Sequence, residues 1–180
     1  MRRIIGCAVL GGAALAVGLG VPTSANAQDF EATLRGFKEV PAVSTRAKGT
    51  FDATISQDQI EYELTYDKLQ GQVQQAHIHF GQRAVNGGIS AFLCSNLGNG
   101  PVGTQTCPES PGSVTGVIRP TDVIGPAAQG IAPGEFRELE RAIRDGVAYA
   151  NVHTDLFPAG EIRGQIKPVK VKPASAEASN

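Results

Sequence analysis

Residues 51–66 read FDATISQDQIEYELTY, two runs of alternating apolar and polar residues on either side of a polar turn. A period of two places the apolar side chains on one face of a β-strand and the polar side chains on the other. The four polar residues 56–59 between the runs suit the turn of a hairpin. The segment therefore predicts two antiparallel strands that cover a core with one face.

The same kind of pattern recurs on both sides of this hairpin. Six further short segments either alternate apolar and polar residues or are mostly apolar, and Gly, Pro or Asn lie between them. They are 30–35, 73–80, 89–94, 113–119, 147–153 and 161–167. Eight short strands with such turns predict an all-β sandwich or barrel.

One stretch has the spacing of a helix instead. Within 133–144 the apolar residues Phe136, Leu139, Ala142 and Ile143 recur every three or four positions, and Gly146 follows as a stop signal. We expect one short helix that packs on the sheet with its narrow apolar face, and a protein-binding helix is the alternative.

The overall composition excludes several classes of protein. The chain has 180 residues, of which 41% are hydrophobic and 18% charged, with 16 basic against 17 acidic side chains. These values suit one globular domain and exclude a collagen-like or disordered chain. Since there is no basic surplus, we expect no nucleic-acid partner.

The first 27 residues are typical of a cleaved signal peptide. Arg2 and Arg3 precede the apolar run 4–21, and Ala25-Asn26-Ala27 has the small-x-small pattern of a signal-peptidase site. A membrane anchor is the competing interpretation, because the run is nearly long enough to span a bilayer. Cleavage would remove two arginines and leave 14 basic against 17 acidic residues, a net charge of −3. We therefore expect an exported protein, periplasmic or extracellular, without a stable membrane span after cleavage.

The expected mature chain divides into a domain and a tail. Residues 28–168 carry all of the strand and helix patterns, whereas 169–180 lack periodicity and bulky side chains beyond two valines. We expect the tail to be disordered.

Two cysteines, Cys94 and Cys107, remain after cleavage. In an oxidising compartment such an even pair is most simply a disulfide. A redox pair or a pair of thiolate metal ligands is the alternative, although the spacing is not CxxC.

The three histidines of the chain lie on two predicted strands. His77 and His79 are two residues apart and share a face, and His153 ends another strand. If the strands are neighbours, three imidazoles can converge on one transition metal, with all of them projecting outward from the core. Asp155 and Glu161 are the candidates for a supporting oxygen, and the loops at 86–88 and 158–160 would shape the access to the site.

The three histidines alone do not determine which metal binds, or whether any metal binds. Imidazole suits zinc, copper, nickel and iron, and copper or zinc are the ions we expect. The alternative is that the histidines only hydrogen-bond to the loops around Gly81 and Phe157. The sequence contains no G-x-S-x-G motif and no phosphate-binding glycine motif, so we assign no catalytic residue.

Several of these motifs together resemble the CHRD domain, which is named from chordin. They are GFKEVPAV at 36–43, AHIHFG at 76–81, NGG at 86–88, YANVHT at 149–154 and PAGEIRGQI at 158–166. The resemblance covers about 30–167 and implies an extracytoplasmic, antiparallel, immunoglobulin-like β-sandwich without an established enzymatic activity. The chain departs from the family at Ala42, where a second proline is frequent, and in the longer segments at 95–111 and near Phe136.

These observations favour an exported, non-catalytic binding or structural module with a three-histidine metal site and an unknown protein or envelope partner. The sequence leaves two alternatives open. One is a metal-dependent hydrolase or redox enzyme with an open coordination position, and the other is a metal-free interaction domain of the cell envelope.

Overall fold

The structure is a computed structural model, and it describes residues 27–170. The predicted signal peptide, except for Ala27, and residues 171–180 of the predicted tail lie outside the described residues. The elements are β1 (Gln28–Arg35), β2 (Lys48–Ser56), β3 (Gln59–Asp67), β4 (Val73–Phe80), β5 (Gly88–Ser95), β6 (Gly112–Ile118), α1 (Phe136–Arg144), β7 (Ala148–Thr154), β8 (Ile162–Gln165) and β9 (Lys167–Pro168).

The hairpin predicted at 51–66 is confirmed as β2 and β3. Phe51 lies opposite Leu64 and Ile55 lies opposite Ile60, and all four side chains are buried. The turn is tighter than predicted, because Ser56 and Gln59 still pair and only residues 57–58 connect the strands. Gln57 adopts a left-handed conformation with φ of 51° there.

The strands form one antiparallel sheet of nine strands, nearly closed into a barrel. Its order is β5-β4-β7-β8-β1-β2-β3-β6, with β9 paired to β1. The Tyr62 hydroxyl of β3 donates to the Leu93 carbonyl of β5 at 2.8 Å. Gln105 Nε2 links the sheet ends, because it donates to the carbonyls of Leu93 and, on β6, Thr115. The all-β, antiparallel class is confirmed with nine strands rather than eight, while the immunoglobulin-like sandwich stays a prediction.

The helix is shorter than the segment predicted at 133–144. Gly134 has a φ of 86°, so the residues before Phe136 do not continue the helix. The apolar face of α1 packs into the core as expected, and its buried side chains are Phe136, Leu139, Ala142 and Ile143.

The predicted disulfide joins Cys94 and Cys107. Asn96 holds the enclosed loop in place, since its Nδ2 donates to the carbonyls of Val73 and Cys107 and its Oδ1 accepts from the Cys107 amide. Across residues 27–170, no helix has both the length and the apolar character that crossing a bilayer requires.

The strands β4 and β7 are neighbours in the interior of the sheet. His79 lies opposite Tyr149, and Gln75 lies opposite His153. Every residue of β7 is buried, so both faces of this part of the sheet are covered. This pairing places the three histidines on one face.

Candidate metal centre

The three predicted histidines come together. His77 and His79 of β4 and His153 of β7 each offer one ring nitrogen, and these three nitrogens lie within 4.8 Å of one another. The ring centroids are 4.9 to 5.6 Å apart. In the described part of the chain, this group contains no cysteine and no carboxylate. The predicted convergence of imidazoles from two segments is confirmed.

The expected outward orientation of the histidines is wrong. His77 is fully buried, and His79 and His153 are only 7% and 6% exposed. The rings do lie on the sheet face opposite Ala76 and Ile78, but loops cover that face. A period of two assigns a side chain to a face and does not reveal what lies above that face.

Two backbone carbonyls orient the rings. His79 Nδ1 lies 3.0 Å from the Gly87 carbonyl oxygen, and His153 Nδ1 lies 3.0 Å from that of Pro158. Because a carbonyl oxygen only accepts, both Nδ1 atoms carry the hydrogen and donate it. The Nε2 atoms of His79 and His153 are therefore unprotonated, and an unprotonated ring nitrogen is the atom through which histidine binds metals.

Two of these ring nitrogens have no partner. In residues 27–170, His77 Nε2 and His79 Nε2 are buried without any hydrogen bond, and Ser90 Oγ is the third such side-chain atom. Buried polar atoms are nearly always paired, so an unpaired one needs an explanation such as a bound ion or water. Two unpaired lone pairs in one cluster fit the donor set of a metal.

The environment keeps the imidazoles neutral. Burial and, to a lesser degree, the neighbouring His153 and His79 lower the pKa of His77 to about 2. Burial, His153 and Arg163 lower the pKa of His79 to about 4 against the opposing hydrogen bond to Gly87. Burial also lowers the pKa of His153. Neutral imidazole is the form that binds metals.

An aromatic and cationic stack closes one side of the cluster. The Tyr149 ring lies parallel to the His79 ring with centroids 4.9 Å apart, and the Arg163 guanidinium lies 3.6 Å from the Tyr149 centroid. The Tyr149 hydroxyl accepts a hydrogen bond from the Gly87 amide, next to the carbonyl that orients His79. Arg163 was not among the predicted site residues, although it lies in one of the family motifs.

A buried carboxyl lies beside this face and was also missed. Glu39 Oε1 accepts a hydrogen bond of 2.7 Å from Asn151 Nδ2, and Asn151 lies opposite His77 in the sheet. Burial raises the pKa of Glu39 to about 7. Gly160, with a φ of 129°, leaves the room that this contact needs, since a Cβ there would lie 2.8 Å from Glu39 Oε1.

The two carboxylates expected to support the metal bind other groups. Glu161 accepts hydrogen bonds from Thr45, Thr154 and the Gln70 amide. Asp155 accepts from the amides of Gln72 and Leu156. Both residues order the chain on either side of Pro158, whose carbonyl orients His153. The loops at 86–88 and 158–160 thus contribute the two orienting carbonyls.

Comparison with known proteins places this architecture in a family. The model of the CHRD domain matches residues 30–166. No curated protein matches the chain, and neither does any solved structure. The matched segment includes all three histidines and most of the nine-stranded sheet, and it spans more than half of the chain. The chain therefore belongs to the CHRD domain family.

Proposed function

We propose that this protein is an exported, non-catalytic CHRD module that binds one transition metal ion, copper or zinc, through His77, His79 and His153. The observation that carries the proposal is the pair of buried, unpaired lone pairs on His77 Nε2 and His79 Nε2 next to a third imidazole. A bound ion would satisfy them, because the metal–nitrogen bonds of about 2.0–2.1 Å allow three such rings to converge. Asp155 and Glu161 support the site indirectly, through the loop that carries Pro158.

Burial of the cluster favours retention of an ion over catalysis. A catalytic metal keeps an open coordination position that substrate and water can reach. Here the unpaired nitrogens are shielded from solvent, and five surface clefts in the described residues are lined by side chains other than the three histidines. One of these clefts is lined in part by Arg163, and Tyr149 lies between that side chain and His79.

Export is supported by the amino-terminal sequence pattern and by the disulfide. The Cys94–Cys107 bridge is compatible with an oxidising compartment, and disulfides persist in the periplasm and outside the cell. The proposal also includes an unknown protein or envelope partner, and we assign no binding surface to it.

Metal analysis of the purified mature chain, residues 28–180, tests the proposal. After metal-replete expression we expect about one copper or zinc ion per wild-type chain, and none in the double variant His77→Ala/His79→Ala. Ser90→Ala is the matched control, since it removes the other unpaired buried polar atom outside the cluster and should leave the metal content unchanged. Circular dichroism of each variant shows whether the fold is retained.

A wild-type chain that retains no stoichiometric metal under these conditions would overturn the proposal and favour the metal-free interaction domain. Metal that persists in the double variant at wild-type stoichiometry would place the ion elsewhere and also overturn it.

A further inference from the structure

The formal charges of the ligands affect which metal ion the cluster would bind. All three ligands are neutral imidazoles, and among the described residues no carboxylate or thiolate belongs to the group. A bound ion would therefore keep its full formal charge in a site that is shielded from water.

A positively charged side chain lies next to the cluster. The Arg163 guanidinium stacks on the Tyr149 ring, which in turn stacks on the His79 ring, so its positive charge lies close to the cluster. The neighbouring acid, Glu39, accepts a hydrogen bond from Asn151 and does not belong to the cluster.

Transfer of an ion from water into such a site is opposed by desolvation. The Born free energy grows with the square of the charge, so a divalent ion loses about four times as much hydration free energy as a monovalent ion of similar size. An anionic ligand would offset part of this loss, and the cluster, as formed by the described residues, contains only histidines. The repulsion from Arg163 also doubles with the ionic charge.

The number of ligands points in the same direction. Zn²⁺ in a closed structural site is almost always four-coordinate. The cluster offers three nitrogens, and the carboxylates of Asp155 and Glu161 bind other groups. Monovalent copper is stable with three ligands and needs no fourth.

We propose that the three-histidine cluster selects monovalent copper, Cu(I), over Zn²⁺ and other divalent ions. This inference rests on the proposed function, because it assumes that the cluster binds a metal. It requires no electron transfer by the protein, since the ion binds in the oxidation state in which it is supplied.

Competition titrations of the mature chain test the selectivity. Under nitrogen, with ascorbate to keep copper monovalent, a chromophoric Cu(I) chelator competes with the protein, and a chromophoric zinc chelator is used in a parallel Zn²⁺ titration. We expect Cu(I) to bind at least about 100-fold more tightly than Zn²⁺. Arg163→Gln should strengthen Zn²⁺ binding more than Cu(I) binding, whereas Arg144→Gln on α1 should change neither.

The outcomes separate this inference from the proposed function. Zinc binding as tight as, or tighter than, Cu(I) binding, lost in His77→Ala/His79→Ala, would overturn the copper selectivity and leave the metal site standing. Equal effects of Arg163→Gln on both ions would overturn the charge argument and the inference with it. Failure of the wild-type chain to bind either ion would overturn both proposals.

Discussion

His77 Nδ1 lies 3.2 Å from His153 Nε2, although 76 residues separate the two histidines along the chain. Because His153 Nδ1 donates its hydrogen to the Pro158 carbonyl, His153 Nε2 accepts. His77 Nδ1 is then the donor, and His77 Nε2 carries the lone pair that has no partner. A metal that binds His153 Nε2 must replace this hydrogen bond, so the metal-free and metal-bound clusters differ in how His77 is held.

The stability of the metal-free protein should fall as the pH is lowered below about 6.5. The folded-state pKa values of His77 and His79 are about 2 and 4, below the ordinary value of 6.5, so the unfolded chain binds more protons in this range. Each imidazole then removes up to about 1.4 kcal/mol of unfolding free energy per pH unit. Urea unfolding at several pH values between 7.5 and 5, with a chelator present, measures this slope.

Glu39 provides an internal control for that pH dependence. Its pKa is raised from 4.5 to about 7, so the folded state binds a proton in this window and gains stability as the pH falls. Glu39→Gln removes this gain in stability, so the unfolding free energy should fall more steeply toward pH 5. A stability that does not change between pH 7.5 and 5 in either protein would contradict neutral buried histidines.

Gly160→Ala should destabilise the fold more than a comparable glycine substitution. A Cβ at this position would lie 2.6 Å from Asn151 Nδ2 and 2.8 Å from Glu39 Oε1, and φ is 129°. Backbone strain and the clash together should lower the unfolding free energy by about 2–4 kcal/mol. Gly130→Ala is the control, because its φ is 91° but a Cβ there meets no atom within 4 Å. Equal losses for both variants, measured by urea unfolding, would show that the contact with Asn151 and Glu39 is unimportant.

Tyr149→Phe should weaken metal binding while retaining the stacking on His79. The variant loses the hydroxyl that accepts from the Gly87 amide at 3.1 Å, and the Gly87 carbonyl orients His79. We expect a loss of about 1 kcal/mol in stability and roughly tenfold in metal affinity. Tyr66→Phe removes another buried hydroxyl, which donates to the Pro108 carbonyl, and should lower stability without affecting affinity. Chelator competition on both variants would refute this role of Tyr149 if their affinities matched.

Removal of the disulfide should lower stability and leave the metal content intact. Cys94→Ala/Cys107→Ala opens a loop with a sequence separation of 13, which should reduce the unfolding free energy by about 3 kcal/mol in the loop-entropy model. Cys94 pairs with Ala76, which faces away from the histidine face, so the cluster should persist. Denaturant unfolding and metal analysis measure the two effects. A reductant should not destabilise the double variant further, and loss of the metal would indicate coupling between the disulfide and the cluster.

Much of this architecture was predictable because it depends on local patterns. The alternation in residues 51–66 specifies which side chains of β2 and β3 face the core, and 73–80 coincides with β4. The spacing of His77 and His79 places both rings on one face of a strand wherever that strand lies. The composition and the cysteine pair likewise needed no knowledge of distant contacts.

The alternating pattern, the shared face of His77 and His79, and the family motifs are properties of the amino-acid order, because each depends on residues close together in the chain. The tertiary structure alone decided that β4 and β7 are neighbours, that loops bury the histidines, and that the Gly87 and Pro158 carbonyls select the Nε2 lone pairs. It also decided that Glu161 and Asp155 bind amides and hydroxyls instead of joining the cluster. The physical reason is that strand order and burial depend on how the whole sheet closes over its core, which no local period encodes.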